Sequence, residues 1–319
     1  MSAVRAARLA LPLVLVLWSI GADPGAVRAA DPLAVVTSAR YEVAPDSGRV
    51  RVTVDATATS NMPDSATERF YFSGVTLAVQ PGATGFAASG EGQPLTVEVA
   101  EETDDYIALD VVFSRSVFYQ QSYAFTLTFD LVDPGGDPYR PLVITRNFLS
   151  VPVWAYGTPE TPGSSVTLVV PGDYRASVEI GEMRMTPGEG RALVLSSTDI
   201  PRPLEYFSHV VIERRAPLTL ERDFTVTLGD RPAEIRLRAW EDDAAWADAV
   251  QETLTDGLPA LVDAIGLDYP IAGALTVREA AYSRLGDYAG IYEPLSRTIE
   301  MHFDPDPFVT LHEAAHIWF

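Results

Sequence analysis

The chain has 319 residues, of which 47% are hydrophobic and 21% charged, and it contains no cysteine. This composition is that of a globular protein, and the missing cysteines exclude disulfides, thiolate metal sites, iron–sulfur clusters and a cysteine nucleophile. All 23 basic residues are arginine, so a Schiff-base or P-loop lysine is excluded, and a net charge of −21 repels nucleic acid and anionic membranes.

The N-terminal segment has the layout of a secretory signal peptide. Arg5 and Arg8 precede a short apolar run, Leu9 to Ile20, which small residues follow. This run is shorter than the roughly 20 residues that span a bilayer as a helix. We therefore predict a signal peptide over residues 1–29, cleaved after Ala29, with an uncleaved anchor as the alternative. The protein is then secreted or extracytoplasmic, at the cell surface or in the periplasm.

Residues 30–238 show a hydrophobic period of two. The segment Arg49–Ala56 alternates polar and apolar residues, and the apolar residues of 123–131 share one face. Such alternation is typical of half-buried strands. Because clusters of Pro, Gly and Asp separate the segments, we predict an all-β domain of antiparallel sandwich or saddle-shaped sheets. The Pro/Gly-rich stretch 157–164 divides either two sheets or two small domains.

Two features of this β region have a functional and a plain interpretation. His209 stands alone among strands, and we expect it to be structural rather than a ligand. The Asp-rich turn 133–137 either binds calcium or uses its aspartates for turn chemistry.

The period then changes to that of a helix. Trp246, Val250 and Leu254 are spaced by four, which predicts an amphipathic helix, broken or kinked near Gly257 and Pro259.

Two short strands and a final helix complete the predicted elements. The strands cover 274–277 and 298–303, with a glycine-containing loop between them. Asp306 is a favoured N-cap and Pro307 fits the first helical position, so a helix should run from Pro307 to the last residue.

That last helix contains the motif His312-Glu313-Ala314-Ala315-His316. Histidines at i and i+4 lie on one helix face, so both imidazoles can reach a single zinc ion. Glu313 can take the proton of a metal-activated water and pass it to the leaving amine. Leu311, Ala315 and Trp318 give the helix an apolar side to pack. The alternative is a buried helix whose histidines only form hydrogen bonds.

The residues from Leu311 to Phe319 resemble the HExxHxWF signature of gluzincin metallopeptidases of the aminopeptidase N type. The stretch 266–270 is similar to the sequence with which the catalytic domain of that family begins, and 290–294 is similar to its G-x-M-E-N exopeptidase motif. The resemblance implies that the β-rich N-terminal domain is followed by the start of an α+β thermolysin-like zinc peptidase domain, residues 239–319, which is incomplete.

The resemblance also implies the roles of the motif residues. His312 and His316 would be zinc ligands, and Glu313 would be the catalytic general base. The family's third ligand is a Glu on the next helix, here expected beyond Phe319. We therefore interpret the chain as the N-terminal part of a longer protein, truncated just after the motif, and expect it to be inactive alone.

The same resemblance assigns substrate contacts. Glu293 would bind the free α-amine of the substrate, and Gly290, Ile291 and Tyr292 would lie on an edge strand that pairs with the peptide backbone. Glu293 is otherwise a solvated loop acid. Because Tyr292 and Pro294 stand where the family has Met and Asn, an endopeptidase remains an alternative to an aminopeptidase.

The sequence thus predicts a secreted, Zn²⁺-dependent metallopeptidase, aminopeptidase-like, that acts on peptides or proteins. We expect no nucleic-acid partner and no membrane span apart from the signal segment. One alternative is an exported β-sandwich binding module with a degenerate, metal-free peptidase remnant. Another is a structural surface protein in which the motif is fortuitous.

Overall fold

The computed structural model describes residues 31–136, 140–229, 231–286 and 288–319. The predicted signal peptide over 1–29 lies outside these residues. The described chain is 53% strand and 16% helix, which confirms the predicted β-rich fold. No helix within the described residues is long and apolar enough to span a membrane.

Between residues 31 and 214, the described residues form strands joined by turns and short 3₁₀ segments. The strands are β1 (Leu33–Ala44), β2 (Arg49–Ser60), β3 (Tyr71–Val79), β4 (Ala83–Gly90), β5 (Gln93–Glu102), β6 (Ile107–Phe118), β7 (Ser122–Val132), β8 (Val143–Ile144), β9 (Phe148–Trp154), β10 (Ser164–Val170), β11 (Tyr174–Ile180), β12 (Arg184–Pro187), β13 (Leu193–Ile200) and β14 (Phe207–Arg214).

The last third mixes strands and helices. Its elements are β15 (Thr219–Leu228), β16 (Arg231–Trp240), α1 (Ala244–Ile265), β17 (Leu275–Glu279), α2 (Tyr282–Leu285), β18 (Gly290–Glu293), β19 (Thr298–Met301) and α3 (Pro307–Ala315). The two strands predicted here are therefore β17 and β19, and β19 ends two residues earlier than expected.

A ten-stranded sheet and a four-stranded sheet share one apolar core. Their strand orders are β12-β13-β10-β1-β2-β7-β4-β5-β6-β3 and β11-β14-β9-β8. The alternating residues of β7 all point into this core: Tyr123, Phe125, Leu127, Phe129 and Leu131 are each at most 4% exposed. The expectation of purely antiparallel sheets was wrong at one place, since β1 and β10 run parallel. A long connection separates these two strands, so β10 could be added to the sheet in either direction.

A group of three polar side chains is buried inside this core. The hydroxyls of Tyr41 and Tyr156 lie 2.6 Å apart, and Gln80 donates to Tyr41 at 2.9 Å and accepts from Tyr156 at 2.7 Å. The Tyr41 hydroxyl also accepts from the amide of Trp154 at 3.0 Å. Burial raises the pKa of Tyr41 to about 12, so its hydroxyl stays neutral. The hydrogen bond between Tyr41 of β1 and Trp154 of β9 connects the two sheets.

A five-stranded sheet, ordered β15-β16-β17-β19-β18, carries helices α1 and α3 and forms a second apolar core with them. β17 pairs in parallel with both β16 and β19, whereas the two edge strands β15 and β18 are antiparallel to their neighbours. The period-two pattern groups β15 and β16 with the all-β region, but their hairpin belongs to this five-stranded sheet. The domain boundary at residues 238/239 stays a prediction.

Helix α1 begins at the N-cap Asp243, whose carboxylate accepts the amide of Trp246 at 3.0 Å, and ends at Gly266 in the left-handed conformation. It runs unbroken through Gly257 and Pro259, so a break, one of the two predicted alternatives, was wrong, whereas a kink stays a prediction. Its buried residues, which include Trp246 and Leu258, all precede the proline, and the half-buried Leu261 and Val262 pack on the same core after it. This packing outweighs the local cost of Gly and Pro.

The two cores meet at a small aromatic cluster. Phe148 of β9 stacks on Trp240 of β16 with ring centroids 5.9 Å apart, and Phe303 lies 5.3 Å from Phe148. Beside it, the amide of Arg146 donates to the Asp242 carboxylate at 2.6 Å. Since Phe303 lies shortly before α3, this junction is connected to the motif helix.

Candidate metal centre

Helix α3 begins as the sequence predicts but ends earlier. The Asp306 carboxylate accepts the amide of Phe308 at 2.7 Å, and Pro307 occupies the first turn. The α-helix stops at Ala315, and His316 opens a 3₁₀ turn. The prediction of one helix to the end of the chain was therefore wrong, because the last residues tighten into 3₁₀ geometry, as helix ends often do.

The inner side of α3 packs on the second core and on α1. Ala314 and Ile317 are buried, whereas the predicted packing residues Ala315 and Trp318 are only half-buried. The third predicted residue, Leu311, lies against Gly257 of α1, where an added Cβ would stand 2.3 Å from Leu311 Cδ2. The helix is thus held at close range to α1, and its opposite face stays open.

The structure brings His312, Glu313 and His316 together. One ligand atom from each lies within 4.8 Å of the other two. The imidazole centroids are 4.9 Å apart, and the ring planes are nearly perpendicular at 89°. Both histidines are exposed, whereas Glu313 is only 7% exposed. Within the described part of the chain neither imidazole makes a side-chain hydrogen bond, so their ring nitrogens are available to a ligand.

The predicted substrate-contacting residues lie beside this group, on β18. Gly290, Ile291, Tyr292 and Glu293 form the whole strand, which pairs with β19 on one side and is the outermost strand of the sheet. Gly290 is buried and Glu293 is exposed. A Cβ added to Gly290 would lie 2.7 Å from Cγ of Glu313, so the strand and the motif helix are in direct contact.

An ion-pair cluster on β19, the strand next to β18, was not anticipated from the sequence. The buried carboxylate of Glu300 on β19 pairs with Arg278 of β17 and with Arg284 of α2. Glu300 lies opposite Ile291 in the β18–β19 register, so the cluster lies one strand away from β18. The alternation of residues 298–303 predicts a strand but gives no signal that one of its acids is buried and paired.

Phe308 is a second neighbour that we did not predict. Its ring stacks near that of His312, with centroids 6.0 Å apart, and it is 75% exposed. The available signal was its spacing, because residues four apart lie on the same face of a helix.

The remaining histidines lie elsewhere. His302 is 2% exposed, its carbonyl accepts the indole N–H of Trp246 at 2.8 Å, and burial lowers the pKa of its imidazole to about 4. His209 lies 2.7 Å from the hydroxyl of Ser150, in agreement with a structural role, and burial lowers its pKa.

The Asp-rich turn is explained by turn chemistry in its described part. The Asp133 carboxylate accepts the amides of Gly135 and Ile144, each at 2.8 Å, and pairs with Arg140 at 2.5 Å. Burial alone would raise the pKa of Asp133, but these hydrogen bonds, Arg140 first, outweigh it and lower the pKa. Asp137 lies outside the described residues.

Comparison with known proteins gives structural neighbours only. No protein-family model matches the chain, and no curated protein does. An M1 zinc metallopeptidase from Deinococcus radiodurans is similar at 19% identity and a TM-score of 0.39, over 90% of this chain and 64% of that one. A mutant of a two-domain M1 zinc metallopeptidase bound to L-arginine is similar at 18% identity and a TM-score of 0.38. The chain spans about 64–65% of the length of these neighbours. A likeness at such TM-scores does not assign a function.

Proposed function

We propose that this chain carries the metal-binding helix of a secreted zinc-dependent metallopeptidase that hydrolyses peptide bonds. One observation carries the proposal: the ligand atoms of His312, Glu313 and His316 on α3 lie within 4.8 Å of one another, and both histidines are exposed. The HExxHxWF resemblance of the same residues supports it.

The donor set suits zinc. Imidazole nitrogens are preferred zinc ligands, and catalytic zinc sites use three protein ligands with one position left open. His312 and His316 would supply two of the three ligands. No other His, Asp or Glu of the described residues belongs to the group, so the third ligand, a Glu expected beyond Phe319, is part of the proposal.

Zinc, when bound, polarises a carbonyl oxygen and lowers the pKa of water. The chain's own contribution is Glu313, which lies between the two histidines in sequence and is largely shielded from solvent. Its carboxylate would accept a proton from the attacking water and deliver it to the leaving amine. Its contact with β18 holds this acceptor beside the strand on which we place the peptide.

β18 offers a way to hold an extended peptide. An outermost strand has unpaired backbone N–H and C=O groups, and a peptide can add to it as a further strand. Gly290, Ile291 and Tyr292 would pair with the peptide backbone, and Glu293 at the end of the strand would bind a free α-amine. The aminopeptidase-like preference rests on the resemblance, and Tyr292 and Pro294 leave endopeptidase activity as the alternative.

The test uses the full-length gene product. We expect the purified protein to contain about one zinc per active site and to hydrolyse peptides in a set with free and blocked N-termini. Glu313→Gln should retain zinc and lose hydrolysis, whereas His312→Ala should lose both. His209→Gln removes a histidine outside the group and is the matched control, with zinc content unchanged.

Two results would contradict the proposal. Zinc content that is the same in the His312→Ala variant and in the control would place the metal elsewhere. A full-length protein without zinc and without hydrolysis would favour the metal-free binding module. Equal cleavage of free and blocked peptides would reject the aminopeptidase preference alone.

A further inference from the structure

Gly290 is a glycine for reasons of space, not of backbone conformation. It lies in an ordinary extended strand and is not one of the residues with positive φ. A Cβ at this position would stand 2.7 Å from Glu313 Cγ and 3.1 Å from Val309 Cγ1, both on α3. A contact of 2.7 Å is too short for carbon atoms, so the side chain of Glu313 takes up the volume that Gly290 leaves free.

Packing, rather than hydrogen bonding, holds the Glu313 side chain. Within the described residues no hydrogen bond to its carboxylate is found, although the residue is only 7% exposed. On its far flank, α3 is fixed by Leu311 against Gly257 of α1. How closely β18 approaches α3 therefore sets the position of the Glu313 side chain.

We infer that Gly290 is a positioning residue: its missing side chain sets the depth at which Glu313 lies against β18. The inference rests on the proposed function for its catalytic meaning. The strand that would take up the peptide also sets the place of the proton acceptor. One element, β18, would then align both the register of the substrate and the position of the general base.

The experiment combines stability and kinetics in the full-length protein. In a double-mutant cycle, Gly290→Ala should lower the melting temperature in the wild-type background and lower it much less in Glu313→Ala, which removes the Cγ that the new methyl group meets. Gly257→Ala is the matched control, because its methyl group would clash with Leu311 on the other side of α3. Its effect should be the same in both backgrounds.

In the kinetic arm, Gly290→Ala should lower kcat by about 10- to 100-fold and leave zinc affinity unchanged, because a misplaced base affects the reaction and not the ligands. An unchanged kcat would overturn the inference. So would an additive cycle, which shows that the new methyl group does not act through Glu313, or a loss of zinc affinity in Gly290→Ala, which shows that α3 moves as a whole. If the wild type binds zinc without hydrolysing peptides, the proposed function fails, and coupling in the cycle still establishes the contact.

Discussion

Leu311 of α3 fills the space that the missing side chain of Gly257 leaves in α1, with only 2.3 Å between Leu311 Cδ2 and the place of a Cβ. In an isolated helix, Gly→Ala stabilises by roughly 1 kcal/mol. Here the new methyl group overpacks the crossing, and we expect Gly257→Ala to destabilise by about 1–3 kcal/mol, measured by urea unfolding. In a Leu311→Ala background the same substitution should stabilise. A higher urea midpoint for Gly257→Ala alone would contradict the contact.

The buried hydroxyl of Tyr156 gives a second prediction. Tyr156→Phe keeps the ring but removes the hydroxyl that donates to the Gln80 side-chain carbonyl, so this buried oxygen loses its hydrogen bond. The Tyr41 hydroxyl keeps its bonds with Gln80 and Trp154. We expect a loss of about 1–3 kcal/mol in the free energy of unfolding. Tyr119→Phe, at a largely exposed tyrosine, is the control and should change stability by less than about 0.5 kcal/mol. Equal effects of the two substitutions would show that the buried group adds nothing to stability.

Glu279 should make the protein less stable as the pH rises. The residue is 6% exposed, and its carboxyl accepts the amide of Trp240 at 2.7 Å. Burial, and next the charge of Asp243, raise the pKa of Glu279 well above its ordinary value of 4.5. Above pH 4.5, Glu279 releases its proton in the unfolded chain but keeps it in the folded chain, so the free energy of unfolding falls with increasing pH.

Glu279→Gln removes this titration. Its free energy of unfolding, measured in urea from about pH 5 to about pH 9, should fall less steeply than that of the wild type. Glu98→Gln, at an exposed acid of β5, should keep the wild-type slope. Parallel curves for wild type and Glu279→Gln would mean that Glu279 is ionised in the folded protein.

The aromatic junction predicts how the two cores unfold. Phe148 contacts both Trp240 and Phe303, so Phe148→Ala leaves a cavity where the cores meet. We expect a loss of about 3–5 kcal/mol and a calorimetric transition that splits in two. Phe308→Ala, at an exposed phenylalanine, should leave one transition. A single, cooperative transition in Phe148→Ala would show that other contacts couple the cores.

Local sequence patterns were sufficient to predict those features that depend on the residues of a single element. The alternation in β2 and β7, the N-cap at Asp306 and the spacing of His312 and His316 could all be predicted, since each depends on residues close in sequence. Contacts between segments that are distant in sequence could not be predicted in this way. Nothing in the pattern around Gly290 indicates that Glu313 occupies its side-chain space.

The same limit applies to Glu300 and to α1. A single acid in a strand pattern is expected to face solvent, and its two arginine partners come from other elements. Helix α1 passes Gly257 and Pro259 because tertiary packing compensates for low propensity, and packing partners cannot be deduced from one segment alone.

The parallel pairing of β1 with β10 has a consequence for synthesis. In this pairing the amide of Thr37 donates to the hydroxyl of Ser164, which lies 127 positions further along the chain. Strand pairs so distant in sequence close late and slow folding towards the range of milliseconds to seconds. Until β10 has emerged from the ribosome, one edge of β1 remains without a neighbour. During translation this edge of β1 is therefore open to pairing with the strands of other nascent chains.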